Sequence, residues 1–413
     1  MKLCIHHGAK EIGGSCVEIE AASKRILLDL GLPLDAELNE TPLPDVSGLE
    51  NMDESLLGIA ISHAHLDHYG LLAKVRQRVP VLIGEGALRI INAARQFFPN
   101  TPGFTRTIEI KNQTPIILGP FTITPYLMDH SAYDAYAFLV EAGRKKVFYS
   151  GDFRNHGRKG GLFEKLVQNP PKGVDVLLME GTTLNRSGLE NNYPSEDEIE
   201  TSFVNHFKAA KGLTLIWTAG QNIDRIVSTY KACRKSGKKL IADLHTARIL
   251  MAIQNRKLPQ PGFRGFYVFV PNRQRNLIKQ RELFDIPKSV SLCRIYQIEL
   301  HAMASSSVML FRPSMTKDLE RADCLEGASL IYSLWPGYLK DERYQWFWDW
   351  LEKHQIPLTH CHTSGHAPAS DLQRLAEAIS ANRLIPIHSF EPNTYKKLFK
   401  NVEIRNDGEI WSA

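Results

Sequence analysis

The stretch Ser62-His63-Ala64-His65-Leu66-Asp67-His68-Tyr69-Gly70 puts three imidazoles and a carboxylate within six residues, directly after the apolar run Leu56 to Ile61. Such a run reads as a buried strand, and the histidine-rich residues after it read as the loop at its end, where a scaffold presents functional groups. His63 and His65 share one side of an extended chain, because strand side chains repeat every two residues. That separates this pattern from H-E-x-x-H, whose histidines share the face of a helix. Imidazole is the commonest zinc ligand and carboxylates complete divalent sites, so the loop points four metal ligands at one place. A polar surface loop that is merely rich in histidine is the plain alternative, and the scarcity of histidine weighs against it.

Three later positions have the same form. Asp129-His130-Ser131 follows the strand-like Phe121 to Leu127, 62 residues after His68. Tyr149-Ser150-Gly151-Asp152-Phe153 follows the strand-like Lys146 to Ser150, with Asp152 lying 22 residues after His130. Pro386-Ile387-His388-Ser389 ends a third short apolar run. A lone histidine in any of these places is more often structural, but in this order they resemble the metallo-β-lactamase superfamily. The resemblance implies two zinc ions, with manganese as the alternative. His63, His65, His130 and Asp152 would hold one, and Asp67, His68, Asp152 and His388 the other, with Asp67 also in the catalytic set. A carboxylate shared by two divalent cations keeps them about 3.5–4 Å apart, a geometry suited to in-line attack on phosphorus. Asp29, in Arg25-Ile26-Leu27-Leu28-Asp29-Leu30-Gly31, looks like the superfamily's strand-end aspartate, which orients a ligand histidine through its other ring nitrogen. A turn or cap residue is its plain reading.

More than 200 residues separate Asp152 from His388. Within them, Val174 to Met179 is an apolar strand ending in Glu180, and His360-Cys361-His362-Thr363-Ser364-Gly365-His366-Ala367 is a second histidine-rich loop. A helical pattern begins after it, near Ser370-Asp371. These segments are similar to the motifs of the β-CASP nucleases, closest to the ribonuclease J-like branch, as is Glu11-Ile12-Gly13-Gly14 before a strand. The resemblance spans about residues 7 to 390. It implies an αββα sandwich with an inserted α/β domain, and hydrolysis of a nucleic-acid phosphodiester to a 5′ phosphate and a 3′ hydroxyl. His366 would act as general acid, oriented by Glu180, while Ser364 with the backbone of Gly365 to Ala367 would bind a substrate phosphate. A histidine at position 388 favours the RNA-processing members over the DNA-repair branch, where that place is typically apolar. A DNA nuclease and a non-catalytic nucleic-acid-binding homologue remain the alternatives. Ribonuclease J-like proteins usually continue into a C-terminal dimerisation domain, whereas here about one helix and one strand follow His388, so dimerisation of that kind is not expected. Cys361 reads as a buried structural thiol, and His360 has no assigned role.

The alternation of elements agrees. Strand-like runs Arg25 to Leu30, Leu56 to Ser62, Tyr136 to Glu141 and Lys145 to Ser150 mix with helical patterns Gly86 to Phe98 and Leu162 to Gln168, the mark of a layered α/β fold. Gly181 to Pro194 reads as a boundary loop. Ser195-x-x-Glu198 is a capping box opening a helix to about Lys211. Leu213 to Thr218, Gln221 to Ser236 and Lys239 to Asp243 then alternate strand, helix, strand, as in a parallel sheet. The expected division is residues 1–190, an insert over 191–355, and a return over 356–413. The six cysteines contain no C-x-x-C pair and no small-domain framework, which suits the cytoplasm. The start Met1 to His7 reads as a strand rather than a signal peptide, and no run of 18 apolar residues spans a membrane.

Charge supplies an independent argument. Residues 201–300 hold 18 Lys and Arg against 5 Asp and Glu, a balance of +13 in a chain whose total is +5. A basic lobe inserted into an acidic body is the expected footprint of a protein that binds a polyanion, here single-stranded RNA. Arg273, Arg275 and Lys279 lie in its densest part, although their spacing mixes faces and an ordinary solvated helix reads as well there. The sequence leaves the oligomeric state open.

Overall fold

The computed structural model describes residues 1–75, 79–184 and 192–413, and the domain boundary expected near residue 190 lies outside them. The chain forms two compact units, one from Met1–Tyr193 with Gly365–Ala413, the other Pro194–Ser364.

Among the described residues, the first unit holds two sheets. One runs in the order Ile410–Ser412, Lys2–His7, Cys16–Ala21, Lys24–Leu28, Leu56–Ala60, Val81–Gly84 and Thr107–Ile110. The other runs Arg383–Ile387, Val176–Glu180, Lys145–Tyr149, Ala135–Ala142, Phe121–Met128 and Ile116–Leu118. Their inner faces meet in one core, with Leu3, Ile5, Val17, Ile19, Ile26 and Leu28 from the first sheet and Phe138, Val140, Val147, Val176, Leu178 and Ile385 from the second. Period-two alternation sends Leu177 and Met179 to the opposite face. There they pack with Phe163 and Leu166 of helix Gly160–Gln168 and with Leu372, Leu375 and Ile379 of helix Ala369–Ile379. This is why Val176 to Met179 reads as an unbroken apolar run, since a strand covered on both faces has no polar side. Each fully buried aliphatic side chain contributes roughly 1.5–3 kcal/mol. The unit is a mixed α/β sandwich with helices outside its sheets.

The second unit is built on seven strands, ordered Arg294–Ile295, Phe266–Phe269, Lys239–Asp243, Ser307–Phe311, Thr214–Trp217, Ser329–Tyr332 and Leu358–His360. Every neighbouring pair is parallel. Helix Glu196–Ala209 precedes this sheet. Ser195 Oγ accepts the Glu198 amide at 3.2 Å and Glu198 Oε2 accepts the Ser195 amide at 2.7 Å, closing the capping box. Helix Ile223–Ser236 starts with Asn222 accepting the Arg225 amide and stops at Gly237, whose φ of 75° suits glycine. Among the described residues, no helix is long and apolar enough to cross a membrane.

Candidate metal centre

In the second sheet of the first unit, Arg383–Ile387, Val176–Glu180 and Lys145–Tyr149 are mutually parallel. Phe121–Met128 runs the same way, because it and Lys145–Tyr149 are both antiparallel to Ala135–Ala142. Four carboxyl ends therefore share an edge and present His388, Glu180, Asp152 and His130. In the facing sheet, parallel Lys24–Leu28 and Leu56–Ala60 end at Asp29 and at the His63–His68 loop. The chain leaves these strands through left-handed residues, with φ of 60° at Asp29, 52° at Gly151 and 49° at His388. Aspartate and histidine both tolerate that region better than most residues. Gly31 is required for a different reason. A Cβ on it would stand 1.7 Å from the Asp67 carbonyl oxygen, so only glycine lets the Asp67 loop close against the strand.

The donors meet in three groups, each with its atoms within 4.8 Å of one another: His63, His65 and His130; Asp67, His68, Asp152 and His388; and Asp152, Glu180 and His366. Asp152 is the hub. Its Oδ2 lies 3.0 Å from His68 Nε2, 3.7 Å from His388 Nε2, and 3.8 Å from both His63 Nε2 and His366 Nδ1. Asp67 Oδ2 approaches the Nε2 atoms of His388 and His68 to 3.7 and 3.8 Å.

Behind these groups, the fully buried Asp29 carboxylate collects four hydrogen bonds. Oδ2 accepts from His68 Nδ1 at 2.8 Å, Ser62 Oγ at 2.8 Å and Tyr149 Oη at 2.6 Å, and Oδ1 accepts from the Ser62 amide at 2.7 Å. The proton of His68 is thereby placed on Nδ1, which leaves Nε2 turned toward Asp152. His388 Nδ1 accepts the Gly13 amide at 3.3 Å and lies 2.9 Å from Ser15 Oγ, two contacts that hold the ring in place. Ser62, Tyr149 and Ser15 carry no sequence signal of this role. Ser62 is a small residue before a motif, and Tyr149 is indistinguishable from a core aromatic.

Electrostatics divide the histidines. Burial holds His63 and His130 well below the usual imidazole range, neighbouring imidazoles adding to the effect. Burial also pushes His65 down to about 4. Burial opposes charge on His68 as well, but Asp152, Asp29 and Asp67 outweigh it and hold that imidazole well above its ordinary range. Asp152, despite its burial, is held well below the usual carboxylate range by His388, His68 and His366.

The donor set fits divalent cations. His63 Nε2, Asp152 Oδ1 and His388 Nε2 are buried without a hydrogen-bond partner, and all three belong to the converging groups. Leaving such atoms unmade costs roughly 1–3 kcal/mol each. Imidazoles that burial keeps neutral, as at His63, His65 and His130, mixed with carboxylates, are the ligand chemistry of zinc and its neighbours. Beside them, His366 Nδ1 lies 3.0 Å from Glu180 Oε2 and 3.3 Å from Oε1. Glu180 is itself fixed, because Oε1 accepts the Phe153 amide at 2.9 Å and its own amide bonds to Ser150 Oγ at 3.1 Å.

A family model described as a beta-lactamase superfamily domain matches residues 24–211, the stretch that supplies Asp29, the histidine loop, His130, Asp152 and Glu180. That stretch is similar to a beta-lactamase superfamily domain. It is similar to ribonuclease J of Helicobacter pylori, with 27% identity over 242 residues, 56% of this chain and 35% of the relative. Ribonuclease J of Mycobacterium tuberculosis is 22% identical across 96% of this chain and 69% of that protein. The match thus spans about a third of the length of the first of these relatives. A crystal structure of an Enterococcus faecalis protein of unknown function superposes with a TM-score of 0.80 at 20% identity, covering 99% of both chains. That likeness speaks to fold alone.

Gly365, His366 and Ala367 belong to the first unit, and Ser364 falls in the second. Gly365 packs so tightly that a Cβ would stand 2.7 Å from Ser131 Oγ and 3.4 Å from His130 Cε1, and Ala367 O accepts Thr183 Oγ1 at 2.6 Å. Arg273, Arg275 and Lys279 lie on helix Asn272–Gln280 of the second unit. Arg273 and Lys279 are exposed, while Arg275 is half-buried with Nη2 directed at the Val270 carbonyl, 3.4 Å away. Cys361 is half-buried, and burial raises its thiol.

Proposed function

We propose that this chain is a metal-dependent nuclease that hydrolyses the phosphodiester bonds of RNA. The observation that carries the proposal is the meeting of seven nitrogen and oxygen donors at one sandwich edge, with the His366–Glu180 pair beside them. His63, His65, His130 and Asp152 would hold one divalent cation, and Asp67, His68, Asp152 and His388 a second, zinc in our reading with manganese as the alternative. When bound, the cations would supply Lewis acidity toward water and toward a phosphoryl oxygen. The side chains supply the rest. Asp29 fixes the tautomer of His68, and Gly13 and Ser15 hold the ring of His388. Glu180 holds the imidazole of His366 through Nδ1, from where the ring passes a proton to the departing 3′ oxygen. The products are a 5′ phosphate and a 3′ hydroxyl. The loop Ser364 to Ala367 takes a substrate phosphate, and the exposed Arg273 and Lys279 screen others along the strand.

RNA as substrate is supported by the relatives, which carry the name ribonuclease J, by the histidine at position 388, and by the charge of residues 201–300. We read the second unit as a β-CASP insert within the sandwich; the return expected from residue 356 begins instead near Gly365, because strand Leu358–His360 pairs in the second unit's sheet. All six cysteines are unpaired, in keeping with a reducing cytoplasm.

The test compares 5′-monophosphate and 5′-hydroxyl RNA with DNA of the same sequence, alongside elemental analysis. We expect RNA cleavage by protein holding close to two metal ions per chain, and loss of both in Asp152→Ala. Preference for DNA moves the chain to the other nucleases, and binding without cleavage under any metal makes it a nucleic-acid-binding homologue. Active protein with a single ion refutes the paired-ion reading.

A further inference from the structure

The loop between Asp152 and helix Gly160–Gln168 returns to the metal centre, and its last residue is a lysine with a distinctive setting. The fully buried Asp129 carboxylate, one residue before His130, accepts the Gly157 amide at 2.7 Å and faces Arg154 Nε at 3.6 Å, while Asp129 O accepts the Arg154 amide at 2.7 Å. A Cβ on Gly157 would stand 2.3 Å from that carboxylate, so glycine is needed for the loop to seat there. The clasp ties the segment after one candidate ligand to the strand end that bears another. It delivers Lys159 to the start of the helix, where its carbonyl accepts the Leu162 amide at 2.8 Å and locks its backbone.

From that position the half-buried Lys159 side chain reaches toward the His130 loop. Its ammonium lies 3.4 Å from the Ala132 carbonyl oxygen and 5.7 Å from the centroid of the Tyr133 ring. Ala132 is two residues past His130, and Ser131 between them touches both His130 and Gly365. No carboxylate of the described residues comes within 4 Å of the ammonium, whereas lysines elsewhere on this unit, such as Lys145 and Lys146, sit on acids. A carbonyl and a ring face hold a cation in place but leave its charge uncompensated. Lysine in such a setting is a point-charge receptor for a phosphate oxygen.

We propose that Lys159 binds a non-bridging oxygen of a substrate phosphate on the His130 side of the centre. The inference deepens the nuclease reading and rests on it. Lys159 then contributes to holding the strand in register and takes no part in proton transfer, so its loss falls on substrate binding more than on the chemical step.

The test is fluorescence anisotropy of a labelled single-stranded RNA oligonucleotide with the full chain over a range of salt, for wild type, Lys159→Met and Lys159→Arg. Methionine keeps an unbranched stem over Tyr133 while removing the charge, and melting by circular dichroism reports whether folding is intact. We expect about a tenfold weaker binding for Lys159→Met. The log–log salt slope should also fall by about 0.7, the loss of one phosphate contact to a single strand. Lys159→Arg should restore most of both. A lysine that merely caps Ala132 would lower the melting temperature and leave affinity and slope unchanged, which overturns the proposal. Wild-type protein that cleaves RNA while Lys159→Met binds as wild type sinks only this inference. Wild-type protein with no affinity for RNA removes the nuclease reading with it.

Discussion

Asp29→Asn isolates the part of the centre that touches no cation. Asparagine is nearly isosteric and tolerates the left-handed φ of 60° at this position, so the backbone is left alone. Its amide cannot satisfy what the carboxylate does. With its oxygen at the Oδ2 place it still accepts from His68, Ser62 Oγ and Tyr149, but its NH₂ then faces the Ser62 amide, donor against donor. Turned the other way, it forces His68 to carry its proton on Nε2, toward Asp152. The first arrangement leaves buried donors unmade at about 1–3 kcal/mol. The second removes the lone pair that a cation needs. Either route should weaken metal binding by roughly 10–100-fold, the usual effect of disturbing a group that orients a ligand, equivalent to about 1.4–2.8 kcal/mol. The assay is metal retention against a competing chelator, with the unloaded protein melted in parallel. Affinity within twofold of wild type, in a protein that has lost stability, would refute the claim that Asp29 sets the tautomer of His68.

Three more expectations can be measured separately. His366→Ala should keep its metal and RNA affinity yet lose roughly 10²–10⁴-fold in single turnover, with Glu180→Gln costing less; a substrate with sulfur at the scissile 3′ position should rescue His366→Ala and leave His68→Ala inactive. Reversing Arg273 and Lys279 to glutamate should flatten the salt dependence of RNA binding at unchanged metal content, and adding Arg275→Glu should change the slope less, because that side chain is turned to its own backbone. Burial pushes His245 down to about 4, so between pH 6.5 and 4 the unfolded chain takes up a proton that the folded one refuses. Stability should therefore be full above pH 6.5 and fall by roughly 3 kcal/mol across that window, and His245→Gln should remove this part of the loss in denaturant titrations.

The candidate ligands that converge in the fold were legible in the sequence because their residue types are rare and each comes after a strand long enough to recognise. Leu56–Ala60 and Phe121–Met128 end within two residues of where the apolar pattern stops. Glu180 was legible for the same reason, as a charge closing a run that a two-sided burial makes wholly apolar. The groups that make the centre work as a unit were not. Tyr149 gives its hydroxyl to Asp29 across 120 residues, and a buried tyrosine at a strand end looks the same whether or not it does so. The reach of Lys159 to Ala132 depends on the Asp129–Gly157 clasp, a contact between segments that no local pattern encodes. The basic helix shows the converse limit. Its charge was plain in the sequence, but only the fold distinguishes exposed Arg273 from the self-occupied Arg275.

Both units present polar side chains at the carboxyl ends of parallel strands, the usual place for a ligand, yet they use them differently. In the second unit, Asp243 ends one strand and Arg312 comes directly after its neighbour. They lie 3.5 Å apart, and Asp243 also accepts the Thr246 amide at 2.9 Å and Gln274 Nε2 at 2.7 Å. The carboxylate charge is answered by protein groups. In the first unit the corresponding ends bring imidazole nitrogens and carboxylate oxygens together faster than they can satisfy one another. His63 Nε2, Asp152 Oδ1 and His388 Nε2 remain without partners, while His68 needs three carboxylates to hold its proton. So many unmet donors and acceptors converging on one place favour completion from outside the polypeptide. Divalent cations would meet these donors, and the contrast supports the reading that places the chemistry in the sandwich.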